Sequence, residues 1–385
     1  MFFLIYFSTV VVFCIYSWWH LHLAFCCRHG LGSLCLALGM LLLTFLPMIN
    51  RTLFRRGQFP ALELIAWIWL ALIFWFAFTQ LTGDAWNLAL WLTRKAAKFG
   101  KASESVGIRL QGLRLSAFVS AVIGLSLVSF ATLWGMLEVR QIRLKTVEVF
   151  SDKVPASADG YRIAVLSDLH FHYGFQHFIL HKAMEHIRQA EPQLLLSAGD
   201  FLDGAISPEI EALFQQLTEV PAPDGKYGVL GNHDSYSGAD DSMEAHSQAG
   251  FQVLRQQGVE IKPWLWLYGV DDPAVWQRQG RHEPPLNLPL VPEAQFGILL
   301  EHQPRRPEVP DRQNYGLMIS GHTHGGQIFP FNLLVQLIYP WKAGKLYAFQ
   351  RGLQLYVSPG TGFWGPPFRF LARPEVTLII LRRKA

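Results

Sequence analysis

Residues 321–326 read Gly321-His322-Thr323-His324-Gly325-Gly326, so two histidines lie one residue apart between glycines. The apolar run before them, residues 315–320, predicts a short buried strand that ends at this stretch. Glycine tolerates backbone conformations that other residues avoid, so the chain can turn sharply here and approach a ligand closely. Two imidazoles on such a turn can each offer a nitrogen to a metal ion. The histidine pair alone is weak evidence for a metal site, because histidines in loops often only form hydrogen bonds.

Polar side chains of similar kinds follow other short apolar runs further upstream. Open α/β sheets bind their ligands at the carboxyl ends of the strands, so we expect these side chains to converge with the two histidines. They are Asp168, His170, Asp200, Asn232, His233 and His302.

The composition of the 385-residue chain changes near residue 138. Residues 1–145 carry 13 Lys and Arg against 4 Asp and Glu, which leaves 20 against 25 for the remainder. All four cysteines lie in the first part, so the second has no disulfide and no thiolate metal site. Since the second part is acidic, we expect no nucleic-acid partner. We predict two domains, residues 1–137 and 138–385.

The first domain is predicted to be an all-α transmembrane bundle of about four spans, with the lipid bilayer as its partner. Its apolar stretches approach the roughly 20 residues that cross the hydrocarbon layer. They are residues 1–27, 31–50, 64–79 and 115–136. Residues 84–100 mix Trp and Leu with Arg and Lys, so they form either an interfacial helix or an extension of the third span. Basic residues are divided almost evenly between the two sides, which leaves the orientation open.

The second domain alternates apolar strands with helices, which predicts an α/β fold. The predicted strands are residues 139–150, 161–166, 193–197, 226–230, 251–254, 264–270, 296–300, 315–320, 353–357 and 375–381. The predicted helices are residues 178–190, 208–220 and 241–249.

The collected side chains suit a metal site. Asp, His and Asn are hard to borderline ligands for manganese, iron or zinc. One tetrahedral site needs about four ligands, so a larger set indicates two divalent transition-metal ions that share a bridging carboxylate. Two such ions generate hydroxide at neutral pH and hold the oxygens of a phosphoryl group. The candidate ligands are Asp168, His170, Asp200, Asn232, His302, His322 and His324.

The order of these blocks resembles the calcineurin-like metallophosphoesterases. The pattern D-x-H, G-D-x-x-D, G-N-H-D, H, G-H-x-H is present in full between Asp168 and His324, and the resemblance spans about residues 139–381. Gly269-Val270-Asp271-Asp272, Gly325-Gly326-Gln327 and residues 360–369 resemble the membrane-linked bacterial branch of that family. The resemblance implies an α/β/β/α double-sheet sandwich and a protein of the bacterial inner (plasma) membrane.

The resemblance also implies roles for the individual residues. His233 would face the phosphate, where it would stabilise the transition state or protonate the leaving oxygen, and Asp168 would orient it. In the implied ligand sets, Asp168, His170 and His324 bind the first metal, Asn232, His302 and His322 bind the second, and Asp200 bridges both.

Several positions have more than one interpretation. Arg369 either holds a substrate phosphate or pairs with Glu375. Residues 329–341 are either a packed flap and strand of the second sheet, or an apolar rim that meets the bilayer and admits a lipid-linked phosphate. Asp203 is expected to cap a turn, and His172 to be a bystander.

The sequence therefore predicts a membrane-bound, dinuclear-metal phosphohydrolase. It would cleave a phosphate ester or anhydride, lipid-linked substrates included, by attack of a metal-bound hydroxide. One alternative is a phosphodiesterase acting on soluble nucleotide-type substrates. Another is a membrane sensor or scaffold whose phosphoesterase domain only binds, although such a module has little need of His233 beside a complete ligand set.

Overall fold

The computed structural model describes residues 2–26, 30–53, 59–99, 109–172, 177–284 and 286–384. The chain divides into two compact units, Met1–Trp134 and Gly135–Ala385.

Long apolar helices make up most of the first unit. They are α1 (Phe2–Leu21), which continues as a π-helical turn (His22–Cys26), α2 (Gly30–Leu53), α3 (Pro60–Phe99) and α4 (Ala117–Glu138). Within the described residues, these four helices are long and apolar enough to cross a membrane. This agrees with the predicted number of spans, although Met1 and Cys27 of the first predicted stretch lie outside the described residues.

Helix α3 is continuous over 40 residues. The region from Asp84 onward therefore extends the third span and is not a separate interfacial helix; Gly100, the last residue of that prediction, lies outside the described part. Polar contacts tie α3 to α4, because Gln80 Nε2 donates to Ser120 O at 3.2 Å and Ser120 Oγ donates to Gln80 Oε1 at 2.8 Å. Such hydrogen bonds between apolar helices supply an attraction that lipid-like surfaces alone do not.

Two six-stranded sheets form the second unit. The first contains β1 (Arg143–Ser151), β2 (Tyr161–Leu166), β3 (Leu194–Ser197), β4 (Lys226–Gly228), β5 (Gln252–Val253) and β12 (Glu375–Arg383), in the spatial order β1-β12-β2-β3-β4-β5. The second contains β6 (Gln257–Lys262), β7 (Leu265–Val270), β8 (Phe296–Glu301), β9 (Tyr315–Ser320), β10 (Leu346–Ala348) and β11 (Gln354–Val357), in the order β10-β11-β9-β8-β7-β6.

Seven shorter helices connect these strands. They are α5 (His177–Ala190), α6 (Pro208–Thr218), α7 (Asn232–Ser237), α8 (Ala239–Gln248), α9 (Pro273–Arg278), α10 (Glu308–Arg312) and α11 (Phe331–Ile338). Helix α6 begins where the sequence predicts it, because Ser207 Oγ accepts a hydrogen bond from Ile210 N and Pro208 occupies the first turn.

Alternation along β2 shows how the layers are built. Ile163 and Val165 point into the core between the two sheets, whereas Ala164 and Leu166 point to the core under α5 and α6. The outer face of the second sheet is covered more thinly, by residues such as Leu288 of the loop before β8 and by the short helix α10. The predicted double-sheet α/β architecture is confirmed.

The structure differs from the sequence predictions at several elements. The first strand begins at Arg143 and not at residue 139, because the chain is still helical to Glu138. Strands β6 and β10 and helices α7, α9 and α10 were not predicted. Residues within the 329–341 stretch form the helix α11, so the strand offered as one alternative there is wrong.

Candidate metal centre

Parallel strand pairs place the candidate ligands at neighbouring strand ends. In the first sheet β2, β3 and β4 run parallel, and in the second β8 and β9 run parallel. Since parallel strands end at the same sheet edge, the residues that follow them are brought together. Asp168 and His170 follow β2, Asp200 follows β3, Asn232 opens α7 after β4, His302 follows β8, and His322 and His324 follow β9.

Most of these residues have an unusual backbone conformation. The φ angles of Asp168, His170, Asp200, His322 and His324 lie between 47° and 68°, in the left-handed region that residues other than glycine rarely adopt. Such strain persists only where surrounding structure fixes it, and it concentrates at functional sites. Carboxylates supply part of that fixation here. Asp168 Oδ1 accepts from His322 N at 2.9 Å, and Asp200 Oδ1 accepts from His233 N at 2.8 Å.

Three overlapping groups of side chains have the spacing of metal ligands. Among the described residues, each group brings its ligand atoms within 4.8 Å of one another. The groups are Asp168, His170 and His324; His170, Asp200 and His233; and Asp200, His302 and His322. Asp200 is shared by two of them, as a bridging carboxylate would be.

The donor atoms fit a divalent transition-metal ion. His302 Nδ1 lies 2.8 Å from the carbonyl oxygen of Ala198, which can only accept, so Nδ1 carries a proton and Nε2 faces Asp200 Oδ2 at 3.1 Å. Burial lowers the pKa of His302, but the Asp200 carboxylate raises it to about 10, so a metal would compete with a proton for Nε2. Among the described residues, Asn232 Oδ1 is buried without a hydrogen-bond partner, which fits a ligand oxygen for a cation.

The two histidines after β9 are held neutral. Burial, together with the charge of neighbouring His302, lowers the pKa of His322 to about 3. Burial, His170 and Arg369 lower the pKa of His324 well below its ordinary value. Neutral imidazole is the form that binds a metal.

His233 pairs with Asp203, which corrects two predictions. Its Nδ1 lies 3.0 Å from Asp203 Oδ1, so Asp203 orients the ring in place of Asp168. Asp203 Oδ2 also lies 3.5 Å from His170 Nδ1, so this carboxylate is part of the site and not a simple turn cap. Burial lowers the pKa of His233, but Asp203 and Asp200 outweigh it and raise the pKa to about 9. The signal was present in the sequence, as the second Asp of G-D-x-x-D.

Arg369 is buried behind the site, and both interpretations of it are wrong. Its guanidinium donates to the carbonyl oxygens of Gly362 and Pro359 at 2.7 Å each, and further to those of His324 and Ala372. Glu375 instead binds Arg143, with the nearest atoms 3.0 Å apart. A side chain with no exposed surface and backbone partners on every side positions loops, so it is not available to a substrate phosphate.

Arg369 also fixes the ring of His324. Its Nη2 lies 3.1 Å from His324 Nδ1, and a guanidinium can only donate. Nδ1 is therefore the acceptor in this contact and the proton of the neutral ring lies on Nε2, which must release it before it can bind a metal.

Aromatic rings line the site, and sequence reasoning did not find them. Tyr339 lies edge-on to His322 with ring centroids 5.3 Å apart. Tyr236 and Trp364 lie 5.2 and 5.5 Å from the ring of His233. The side chain of Gln327 holds Trp364 through hydrogen bonds to its backbone N and O.

Comparisons with known proteins agree with this site. Residues 161–326 match the family described as calcineurin-like phosphoesterase. A Danio rerio "Transmembrane protein with metallophosphoesterase domain" is 29% identical over 287 residues, which cover 69% of this chain and 64% of that protein. An "Uncharacterized metallophosphoesterase" of Aquifex aeolicus is 31% identical over 255 residues, which cover 65% of this chain and 96% of that protein. A Bacillus subtilis relative, also described as an uncharacterized metallophosphoesterase, is 30% identical over 261 residues, which cover 64% of this chain and 87% of that protein.

Residues 161–326 contain the strand ends that carry the candidate ligands, and the separate 255-residue match covers 96% of the Aquifex protein. The four apolar helices mark a membrane protein, in line with the Danio relative. The chain therefore belongs to the calcineurin-like metallophosphoesterases, which are metal-dependent hydrolases of phosphate esters.

Proposed function

We propose that this protein is a dinuclear-metal phosphohydrolase that cleaves a phosphate ester or anhydride at a membrane surface. One observation carries the proposal. The three overlapping ligand groups are linked through His170 and Asp200, and His233, which pairs with Asp203, belongs to one of them, so ligands and an acid/base group surround one volume.

The ligand groups divide between two ions. Asp200 would bridge them, and Asn232 completes the second set through its unpartnered Oδ1. When bound, two divalent ions would activate water and neutralise the phosphoryl oxygens. Manganese, iron and zinc all suit these donors. The proposed sets are Asp168, His170 and His324 for the first ion, and Asn232, His302 and His322 for the second.

His233 supplies proton transfer in this proposal. Because Asp203 engages Nδ1 at 3.0 Å, the Nε2 edge is left for the substrate. The adjacent carboxylates favour the protonated ring, which is the form that donates to a leaving oxygen. Asp203 holds the ring in this orientation and stabilises its charge, as a carboxylate does for a catalytic histidine.

The membrane setting bears on the substrate. Four apolar helices precede the catalytic unit, and β1 begins only five residues after α4 ends at Glu138. A phosphate ester carried on a lipid is therefore the substrate that we favour over a soluble nucleotide. Relatives occur in the bacteria Aquifex and Bacillus, and we propose that the membrane is a bacterial plasma membrane.

Turnover by the full-length protein tests the proposal. The chain, purified in detergent and supplied with Mn²⁺, should hydrolyse p-nitrophenyl phosphate, its bis-ester, or both, and the His233→Ala variant is the matched control. A sensor or scaffold would bind the metal and turn over neither compound.

A further inference from the structure

Helix α11, residues Phe331–Ile338, presents apolar side chains to its surroundings. It contains no charged residue and has no buried one. Leu337 and Ile338 are 82% and 75% exposed, and Leu333 and Leu334 are each at least half exposed. Helices this short gain most of their stability in water from burying an apolar face against other structure. Among the described residues nothing buries this face, so it needs an apolar environment from elsewhere.

The residues that flank α11 are those of a membrane interface. Tyr339 and Trp341 follow the helix directly, and aromatic rings of this type concentrate at headgroup level. Exposed Lys342 and Lys345 come next, where their charges would meet anionic headgroups. A short apolar helix followed by such residues suits a position in the membrane interface.

The residue two positions before α11 and the last residue of the fourth apolar helix both form hydrogen bonds with residues 370–372. The last turn of α4 belongs to the second unit, and there Glu138 accepts from Leu371 N at 3.1 Å and from Ala372 N at 2.8 Å. In the same segment, Phe370 O accepts from Phe329 N at 3.2 Å, two residues before α11 begins. Residues 370–372 thus bind both the chain just before α11 and Glu138 at the end of α4.

From these contacts we infer that α11 lies in the interfacial layer of the lipid bilayer, with Leu333, Leu334, Leu337 and Ile338 among the upper acyl chains. The bilayer fits this face better than a protein partner does. The chain is already held at a membrane by four spans, and the aromatic and basic residues match a lipid surface.

Docking of α11 would set the metal centre at headgroup level. Tyr339 follows the helix, its ring lies 5.3 Å from that of His322, and its hydroxyl donates to Gln303 Oε1 at 2.8 Å. Gln303 neighbours His302, so the helix end adjoins the second ligand group. It follows, resting on the proposed function, that the preferred substrates are phosphate esters presented by lipid headgroups.

Fluorescence quenching in vesicles tests the docking. The full chain, with its four cysteines replaced by alanine, carries either Leu337→Cys or the control Leu290→Cys, each labelled with bimane. Leu290 is an exposed leucine, 68% accessible, in the loop before β8. Vesicles contain phosphatidylethanolamine and phosphatidylglycerol, with or without doxyl-labelled lipid.

We expect doxyl lipid to quench the label at 337 several-fold more than the label at 290, and aqueous iodide to give the reverse. A label at 337 that iodide reaches as readily as the label at 290 overturns the inference. So does a label shielded from iodide but not quenched by lipid, which a second copy of the chain or another protein on this face would give. Quenching does not depend on turnover, so an inactive protein with a lipid-quenched label would refute the proposed function and leave the docking intact.

Discussion

At the scale of single residues, His233 and Asp203 are the side chains of the site whose proposed work is chemical. His233 belongs to a candidate ligand group, yet its Nδ1 is engaged by Asp203 and the two presumed metal sets are complete without it. Its contribution should therefore be separable from metal binding.

Replacing His233 by alanine should slow hydrolysis of p-nitrophenyl phosphate by about 10²–10⁴-fold, the usual contribution of a positioned acid or base. Metal content, measured by elemental analysis on the same preparation, should not change. A metal-depleted His233→Ala protein would mean that this side chain is a ligand.

The Asp203→Ala variant should also be slower, because the ring of His233 loses the partner that lies 3.0 Å from its Nδ1. If Asp203 acts through His233, the double variant should be no slower than His233→Ala alone, since coupled residues are not additive. Rate losses that multiply in the double variant would instead assign Asp203 a separate role, through the neighbouring His170.

Arg369 should behave as a structural residue. Arg369→Ala leaves the buried carbonyl oxygens of Pro359, Gly362 and Ala372 without their donor, whereas His324 O still accepts from Gln327 N. Each unsatisfied group costs at least about 1 kcal/mol. A total of about 3 kcal/mol would lower the midpoint of thermal unfolding by roughly 6–12 °C in a domain of this size. The KM for p-nitrophenyl phosphate should stay near that of the parent; a raised KM with an unchanged midpoint would restore a substrate-binding role.

At the scale of elements, the sequence predicts best where local pattern and tertiary structure agree. Strands β2 and β9 match their predicted bounds, because each is a short apolar run followed directly by polar ligands. For the region of helix α11 a strand was one of two interpretations, since a short apolar run suits either a helix or a strand. Strand β6 was missed because Gln257–Lys262 mixes polar and apolar residues without a buried face.

Side-chain partners were harder to predict than strand ends. Each candidate ligand lies just after a strand that the sequence predicts, or at the start of the helix that follows such a strand. The contact of Arg369 with His324 joins residues 45 positions apart, and nothing in the local sequence specifies it. The His233–Asp203 pair joins residues 30 positions apart, although Asp203 is visible in the sequence as the second Asp of G-D-x-x-D.

The membrane position inferred for helix α11 predicts a preference for lipid phosphates over p-nitrophenyl phosphate. Replacing Leu337 and Ile338 by serine removes apolar surface worth about 25 cal/mol per Å² on transfer from water to the bilayer. The ratio of phosphatidic acid turnover in vesicles to p-nitrophenyl phosphate turnover should fall about tenfold or more. The same substitution at Leu290 is the control, and an equal fall in both activities of the α11 variant would show that these residues support the fold.

At the scale of the whole molecule, the chain joins an apolar, basic membrane unit to an acidic catalytic unit. Residues 1–145 have 13 basic and 4 acidic residues, a net charge of +9. The remainder has 20 basic and 25 acidic residues, a net charge of −5. The catalytic unit carries its own complete set of candidate ligands, so it needs no residue of the membrane unit to bind metal. What the membrane unit adds, in this account, is the location at which phosphate esters are met.

The number of metal ions per chain tests the central claim most directly. Elemental analysis of the fully active, full-length protein in detergent should give close to two transition-metal ions per chain. His324→Ala and Asn232→Ala should each lower that value, since they belong to different ligand sets. A stoichiometry at or below one in fully active protein would contradict the dinuclear centre.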